Sequence, residues 1–174
     1  AAVRADGQMV ALLLERGADP ARTGNDGYRA FDYAIERDNR DAALALLEQE
    51  GKRGGADAAR TAALAIAAAS GDLVACRALL AEGVAVDARG PSGYGALALA
   101  SRWGHEQVVE ALLSAGATAD RATESRYRST PLMEASRDGN TEIGARLIAA
   151  GAQVDTGDRY GDHALNWAAY FGHA

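Results

Sequence analysis

The sequence predicts an all-α solenoid of stacked helix–turn–helix units. Three observations predict it. Apolar doublets recur at Leu13-Leu14, Leu46-Leu47, Leu79-Leu80, Leu112-Leu113 and Leu147-Ile148, in steps of 33, 33, 33 and 35 residues. A second marker precedes each doublet by eight residues, at Ala5, Asp38, Gly71, Gly104 and Gly139, and returns at Gly172. A third follows the second by twelve, at Gly17, Glu50, Gly83, Gly116 and Gly151. Self-similarity at a fixed period of this length is the signature of a repeat architecture.

The elements follow in order. The chain opens inside a first helix (Ala1-Ala2-Val3-Arg4), with the inter-helix marker at Ala5 and the doublet Leu13-Leu14 after it. The clearest unit lies in the middle. Ala62–Ser70 reads as a first helix with Leu64, Ala67 and Ala68 on one face, ended by Gly71. Asp72–Glu82 reads as a second, with Ala75, Cys76, Leu79 and Leu80 forming an apolar stripe at helical spacing. Gly83 can take the left-handed conformation that ends a helix. The same reading fits Gly104–Gly116 and Gly139–Gly151. The segment Gly51–Arg60 (GKRGGADAAR) departs most from the pattern but keeps its length, so a distorted loop is expected there. The chain closes just after a first helix, at Phe171-Gly172-His173-Ala174. One repeat domain over residues 1–174 results, with units at 1–23 (partial), 24–56, 57–89, 90–122, 123–157 and 158–174 (partial). The incomplete ends lead us to expect further repeats or domains of the same chain at either end.

Composition agrees with this architecture. Hydrophobic residues make up 48% of the 174 and aromatics only 6%, which favours close-packed helices over a core filled by rings. Two helices of about ten residues are marginal alone. Stacking buries their faces against neighbours, so stability grows with repeat number. Ala34, Ala67, Ala100, Ala135 and Ala168 share one position of the first helix and mark where adjacent units approach closely. A formal charge of −6 argues against a general affinity for nucleic acid or anionic membrane surfaces. No apolar run reaches the length of a membrane span. The single cysteine, Cys76, excludes an internal disulfide and suits a reducing, cytoplasmic setting. No signal peptide is visible, but the chain begins without methionine, which leaves a secreted or periplasmic setting open.

Thr130-Pro131-Leu132-Met133-Glu134-Ala135 is close to Thr-Pro-Leu-His-x-Ala, Gly17-Ala18-Asp19 and Gly151-Ala152 to a Gly-Ala-Asp helix end, and Gly104-His105 to Gly-His between helices. With the 33-residue unit, these motifs resemble the ankyrin repeat, over essentially the whole chain, which implies an ankyrin-repeat solenoid with protruding loops or β-hairpin turns between the helix pairs. Thr130 can cap a helix and Pro131 suits its first turn. The sequence departs from the family at the cap position, which holds Arg29, Ala62, Gly95 and His163 elsewhere. At the histidine position it has Asp32, Ala65, Ala98, Met133 and Asn166.

The resemblance implies a module that holds a partner protein on the concave surface formed by the loop tips and first helices. In this register the candidate partner-binding residues are Tyr28, Arg37, Tyr94, Arg102, Trp103, Arg126, Tyr127, Arg137, Arg159, Tyr160, Tyr170 and Phe171. Seven of the ten aromatics fall there, and Tyr, Trp and Arg are enriched among binding hot spots. Phe31, Tyr33 and Trp167 read as packing residues. The second helix pair contributes little, because Ala58, Ala59, Thr61, Ala69 and Ser70 occupy the equivalent places, so contact is expected on units three to six. The partner is another protein of unknown identity, with no role for nucleic acid or membrane insertion. An alternative is a neutralising or regulatory subunit that covers the active site of an enzyme or toxin.

Catalytic readings find little support. His105, His163 and His173 lack metal-ligand spacing, and one cysteine on an apolar stripe is a packing group. Gly51-Lys52-Arg53-Gly54-Gly55 lacks the spacing of a phosphate loop. No enzyme activity and no cofactor is expected.

Overall fold

The glycines and short polar residues between apolar stripes divide the chain into short helices. A computed structural model describes residues 4–173, with side chains from Gln8 onward, and contains ten helices among them. They are α1 (Arg4–Glu15), α2 (Ala30–Glu36), α3 (Arg40–Arg53), α4 (Gly55–Ser70), α5 (Leu73–Ala81), α6 (Ala96–Arg102), α7 (Glu106–Ser114), α8 (Pro131–Arg137), α9 (Thr141–Ala149) and α10 (Ala164–Phe171).

From α4 onward the units stack as the periodicity predicts. The first helices α4, α6, α8 and α10 pack side by side as an inner layer, and α5, α7 and α9 as an outer one. Leu64, Ala67 and Ala68 meet Cys76, Leu97, Ala100, Val108, Leu112, Leu132, Ala135, Ile143 and Leu147 in one continuous core. Ala67, Ala100 and Ala135 are buried in it, which lets the inner helices approach closely. Local chemistry sets the ends. Asp72 accepts from Ala75 N at the start of α5, and Thr130 accepts from Met133 N at the start of α8, with Pro131 at its first position.

Side chains just after the inter-helix glycines tie each unit to the one before. His105 Nε2 donates to the Ala69 carbonyl at 3.0 Å, Asn140 Nδ2 to Ser101 at 3.3 Å, and His173 Nε2 to Arg137 at 2.8 Å. The His105 ring lies where a Cβ on Gly71 would stand, 2.6 Å from its Nδ1, and Gly71 has φ +75°. A glycine is required there on both counts. The loops form a second ladder. Glu124 N donates to Gly93 O at 2.8 Å, and Arg159 N to Tyr127 O at 2.7 Å. The hairpin character of these loops is slight: the one isolated β-bridge among the described residues joins Arg89 and Gly95.

The N-terminal part departs from the expected stack. Residues 1–3 lie outside the described residues. Arg4 and Ala5 belong to α1, which runs unbroken through the position where a turn is expected. Glu50 stands where glycine ends the other second helices, so α3 continues to Arg53. The expected distorted loop at Gly51–Arg60 is therefore helical, apart from a corner at Gly54-Gly55. Gly55 has φ +79°, and a Cβ on Gly54 would stand 2.2 Å from that of Ala58. The corner needs both glycines.

That corner folds α3 back along α4 as an antiparallel pair, with no protruding loop between them. Unit two consequently leaves the stacking row. Instead of packing on α4, α2 lies against the inner face of α6 and α8, and α1 packs on the outside of α3. A second core forms at this junction. Leu14, Phe31, Ala34, Ile35, Ala43, Leu46 and Leu47 cover Ala65 and Ala69 of α4, Ala98 and Leu99 of α6, and Tyr94. The concave side of the solenoid thus carries a third layer made by the chain itself.

Candidate partner-binding groove

The third layer leaves part of the concave side open. Between the edge of α2 and the last inner helix lies a groove of about 590 Å³. Glu36 and Arg37 border it from α2, Arg137 from α8, and Asn166, Trp167, Tyr170 and Phe171 from α10. Tyr127, Asp158, Tyr160 and Asp162 close it from the loop tips.

Aromatic packing shapes the walls. Tyr127 stands edge-on to Trp167 at 5.8 Å and to Tyr160 at 5.9 Å between centroids. Trp167 Nε1 donates to Asp158 Oδ2 at 3.2 Å, which fixes the indole against the tip. Two guanidinium groups lie over rings: Arg137 is 4.7 Å from the Phe171 centroid, and Arg126 is 4.6 Å from Tyr28 and 5.9 Å from Tyr160. Arg126 Nε also donates to the Tyr160 hydroxyl at 2.7 Å. Tyr170 projects furthest, 84% exposed. Burial lowers the Arg137 pKa and raises that of Asp138 beside it. Burial, and the hydrogen bond to Tyr28, raise that of the Tyr127 phenol.

The twelve residues anticipated from the register divide into three groups. Arg37, Tyr127, Arg137, Tyr160, Tyr170 and Phe171 line the groove. Arg126 braces its tip and Arg159 is exposed beside it. The placement of the remaining four on an open surface is corrected by the third layer. Tyr28 is buried, with its hydroxyl 2.7 Å from that of Tyr127. Tyr94 is 3% exposed, packed 5.3 Å from the Phe31 ring. Arg102 is 1% exposed and donates to the Ile35 carbonyl at 2.8 Å. Trp103 is half-buried, donates to Asp38 at 3.1 Å and carries the Arg40 guanidinium over its ring. Tyr94, Arg102 and Trp103 are covered by α2 and the start of α3, while Tyr28 belongs to the loop before α2 and packs against Tyr127 and Arg126.

Register reasoning left out Asp158, Asn166 and Trp167 as site residues. Trp167 does pack in the core, as expected, but its edge also lines the groove. Tyr33, expected to pack, stacks on the Tyr28 ring at 5.0 Å with its outer side exposed; its hydroxyl donates to Asp26, whose carboxyl this bond holds below its usual range. Ala58, Ala59, Thr61, Ala69 and Ser70, expected to contribute little, do not line the groove, and Glu36 lines it beside the anticipated Arg37. Cys76 is fully buried and its thiol is pushed up to about 11, which leaves it protonated. No described helix is long and apolar enough to cross a membrane.

Comparison with known proteins agrees with this architecture. Residues 52–123 match a family described as ankyrin repeats in three copies. The chain is similar to a probable E3 ubiquitin-protein ligase of Oryza sativa subsp. japonica, 40% identical over 111 residues, 62% of this chain and 24% of that protein. It is also similar to a transient receptor potential cation channel subfamily A member 1 homologue of Caenorhabditis elegans, 38% identical over 46% of this chain and 6% of the channel. A human ankyrin repeat and KH domain-containing protein is 40% identical over 41% of this chain and 3% of its own length. The chain spans a quarter or less of these relatives. The matched ankyrin repeats, residues 52–123, lie inside a row of helix pairs tied one to the next.

Proposed function

We propose that the protein is an interaction module that holds a partner protein in the groove between α2, α8 and α10. The observation that carries this reading is the gathering of Tyr127, Tyr160, Tyr170, Phe171, Arg37 and Arg137 around one concave opening. Repeats of this family are generally protein–protein interaction modules. Rings with few rotatable bonds, flanked by guanidinium groups, supply large contact area at low entropic cost. Glu36, Asp158 and Asp162 place carboxylates on the same rim, so a segment presenting an apolar side chain beside a basic one matches it.

The test is photo-crosslinking from position 170 in the full chain, recovery of the captured protein, and titration of the purified pair. Tyr170→Ala with Tyr160→Ala is expected to weaken binding at least tenfold and leave helicity unchanged, on the order of hot-spot truncations. Undiminished binding by the folded double variant would place the interface elsewhere.

A further inference from the structure

The inner face beneath α2 is occupied by the chain itself, and the manner of occupation describes a ligand. Arg102 Nη2 donates to the Ile35 carbonyl at 2.8 Å and Arg137 Nη2 to the Glu36 carbonyl at 2.5 Å. Both acceptors sit in the last turn of α2, where intrahelical donors run short. Asp38, just beyond, lies 3.5 Å from Arg102 and accepts from Trp103 Nε1. Phe31 packs on Tyr94, and Phe31 and Ile35, four residues apart, share one helix face.

The fit is incomplete. Of six buried side-chain atoms without a hydrogen-bond partner among the described residues, five line this junction. Asp32 Oδ1 and Glu50 Oε2 lie on the α2–α3 side; Arg102 Nε, Arg102 Nη1 and Glu134 Oε2 lie on the stack side. A small void lined by Asp32, Tyr94 and Glu134 remains between the layers. The attachment is the Gly54-Gly55 corner, flanked by two helices that can join into one if it straightens.

We infer that α1–α3 are a displaceable internal ligand, and that the inner face of α6 and α8 accepts a partner's short amphipathic helix by its C-terminal turn. That helix presents a ring and an aliphatic side chain four residues apart, last-turn carbonyls for Arg102 and Arg137, and a following carboxylate for Trp103. This surface adjoins the open groove and shares Arg137 and Glu36 with it; its test reads the peptide of the chain itself, so its outcome is distinguishable from that of the groove's partner.

The test uses the full chain, the variant Gly54→Ala/Gly55→Ala, and a fluorescent peptide of residues 24–53 as probe. Alanine at both positions clashes at the corner and favours a straight helix. The variant is expected to bind the peptide at least tenfold more tightly than the unaltered chain, and adding Arg102→Ala is expected to abolish the gain. A dimer of the variant that Arg102→Ala dissolves is the same recognition by a second copy and supports the inference. A folded variant that binds the peptide no better than the unaltered chain overturns it. If the variant does not fold, native-state hydrogen exchange of the unaltered chain in rising denaturant decides. Opening of α2 and α3 before α7 and α9 supports a displaceable layer; opening of all four together overturns it.

Discussion

Glu50 occupies the position where the other second helices end in glycine, and it is buried against Gly90 with Oε2 unpaired. Burial pushes its carboxyl up, against the opposing pull of Ser92 and Arg29. The folded protein therefore holds this proton more tightly than the unfolded chain does. The contribution to stability is complete below the ordinary glutamate range and is lost as pH rises through the raised value. Glu50→Gln is expected to stabilise by about 1 kcal/mol at neutral pH and to change little at acid pH. A shift of roughly 2–4 °C in Tm at pH 7 that vanishes below pH 4 would show it; an equal shift at both would refute it. Arg102 presents the opposite case. It faces Asp38 and Asp138 at 3.5 Å and the buried Glu134 at 3.9 Å. Arg102→Leu removes the buried ion-pair partner of Glu134 and is expected to cost about 3–5 kcal/mol. Adding Glu134→Gln is expected to restore part of it, which urea denaturation of the single and double variants would read. Arg102 carried no sequence sign of burial: a charge at a concave position looks the same whether water or the chain's own helix covers it.

At the scale of elements, legibility followed the residues that start and stop helices. α7, α8 and α9 lie where the markers put them, because Gly104, Thr130-Pro131 and Gly139 set their limits through local chemistry. Thr130→Ala removes the acceptor for Met133 N and is expected to cost about 1 kcal/mol, with the loss of protection confined to α8 in hydrogen exchange. α3 and α4 were misread for the same kind of reason. Gly51 looks like a loop residue, yet it sits inside α3, where a Cβ would come within 3.1 Å of the Ala62 Cβ. Its glycine serves the close approach of two helices rather than a turn. The poly-alanine character of Ala58–Ala69 carries helix propensity, and Gly54-Gly55 supplies a corner in place of a loop. Period alone could not separate these meanings of glycine, since the segment keeps the repeat length with either one.

At the scale of the whole molecule, the repeat made the units visible and left their arrangement partly hidden. Each unit's apolar stripe specifies that it must pack, and α2 and α3 satisfy theirs against a concave face built largely of alanine. The result is two cores, one between the inner and outer layers of α4–α10 and one beneath α1–α3. They share α4 and α6 through different faces, with Leu64 and Ala67 turned to the first and Ala65 and Ala69 to the second. In a stack, stability is a sum of unit and neighbour terms, so damage spreads only as far as the contacts carry it. Leu112, fully buried in the first core, and Leu46, in the second, make the comparison. Either change to alanine is expected to cost about 2–5 kcal/mol locally. Leu112→Ala is expected to lower exchange protection in α5, α7 and α9 and also in α1–α3, whose docking face is built on the repeats it weakens. Leu46→Ala is expected to lower protection in α1–α3 and leave α7 and α9 near their original values. Equal losses everywhere from Leu46→Ala would mean that the layers unfold as one cooperative body, with the N-terminal helices as integral to the solenoid as any of its repeats.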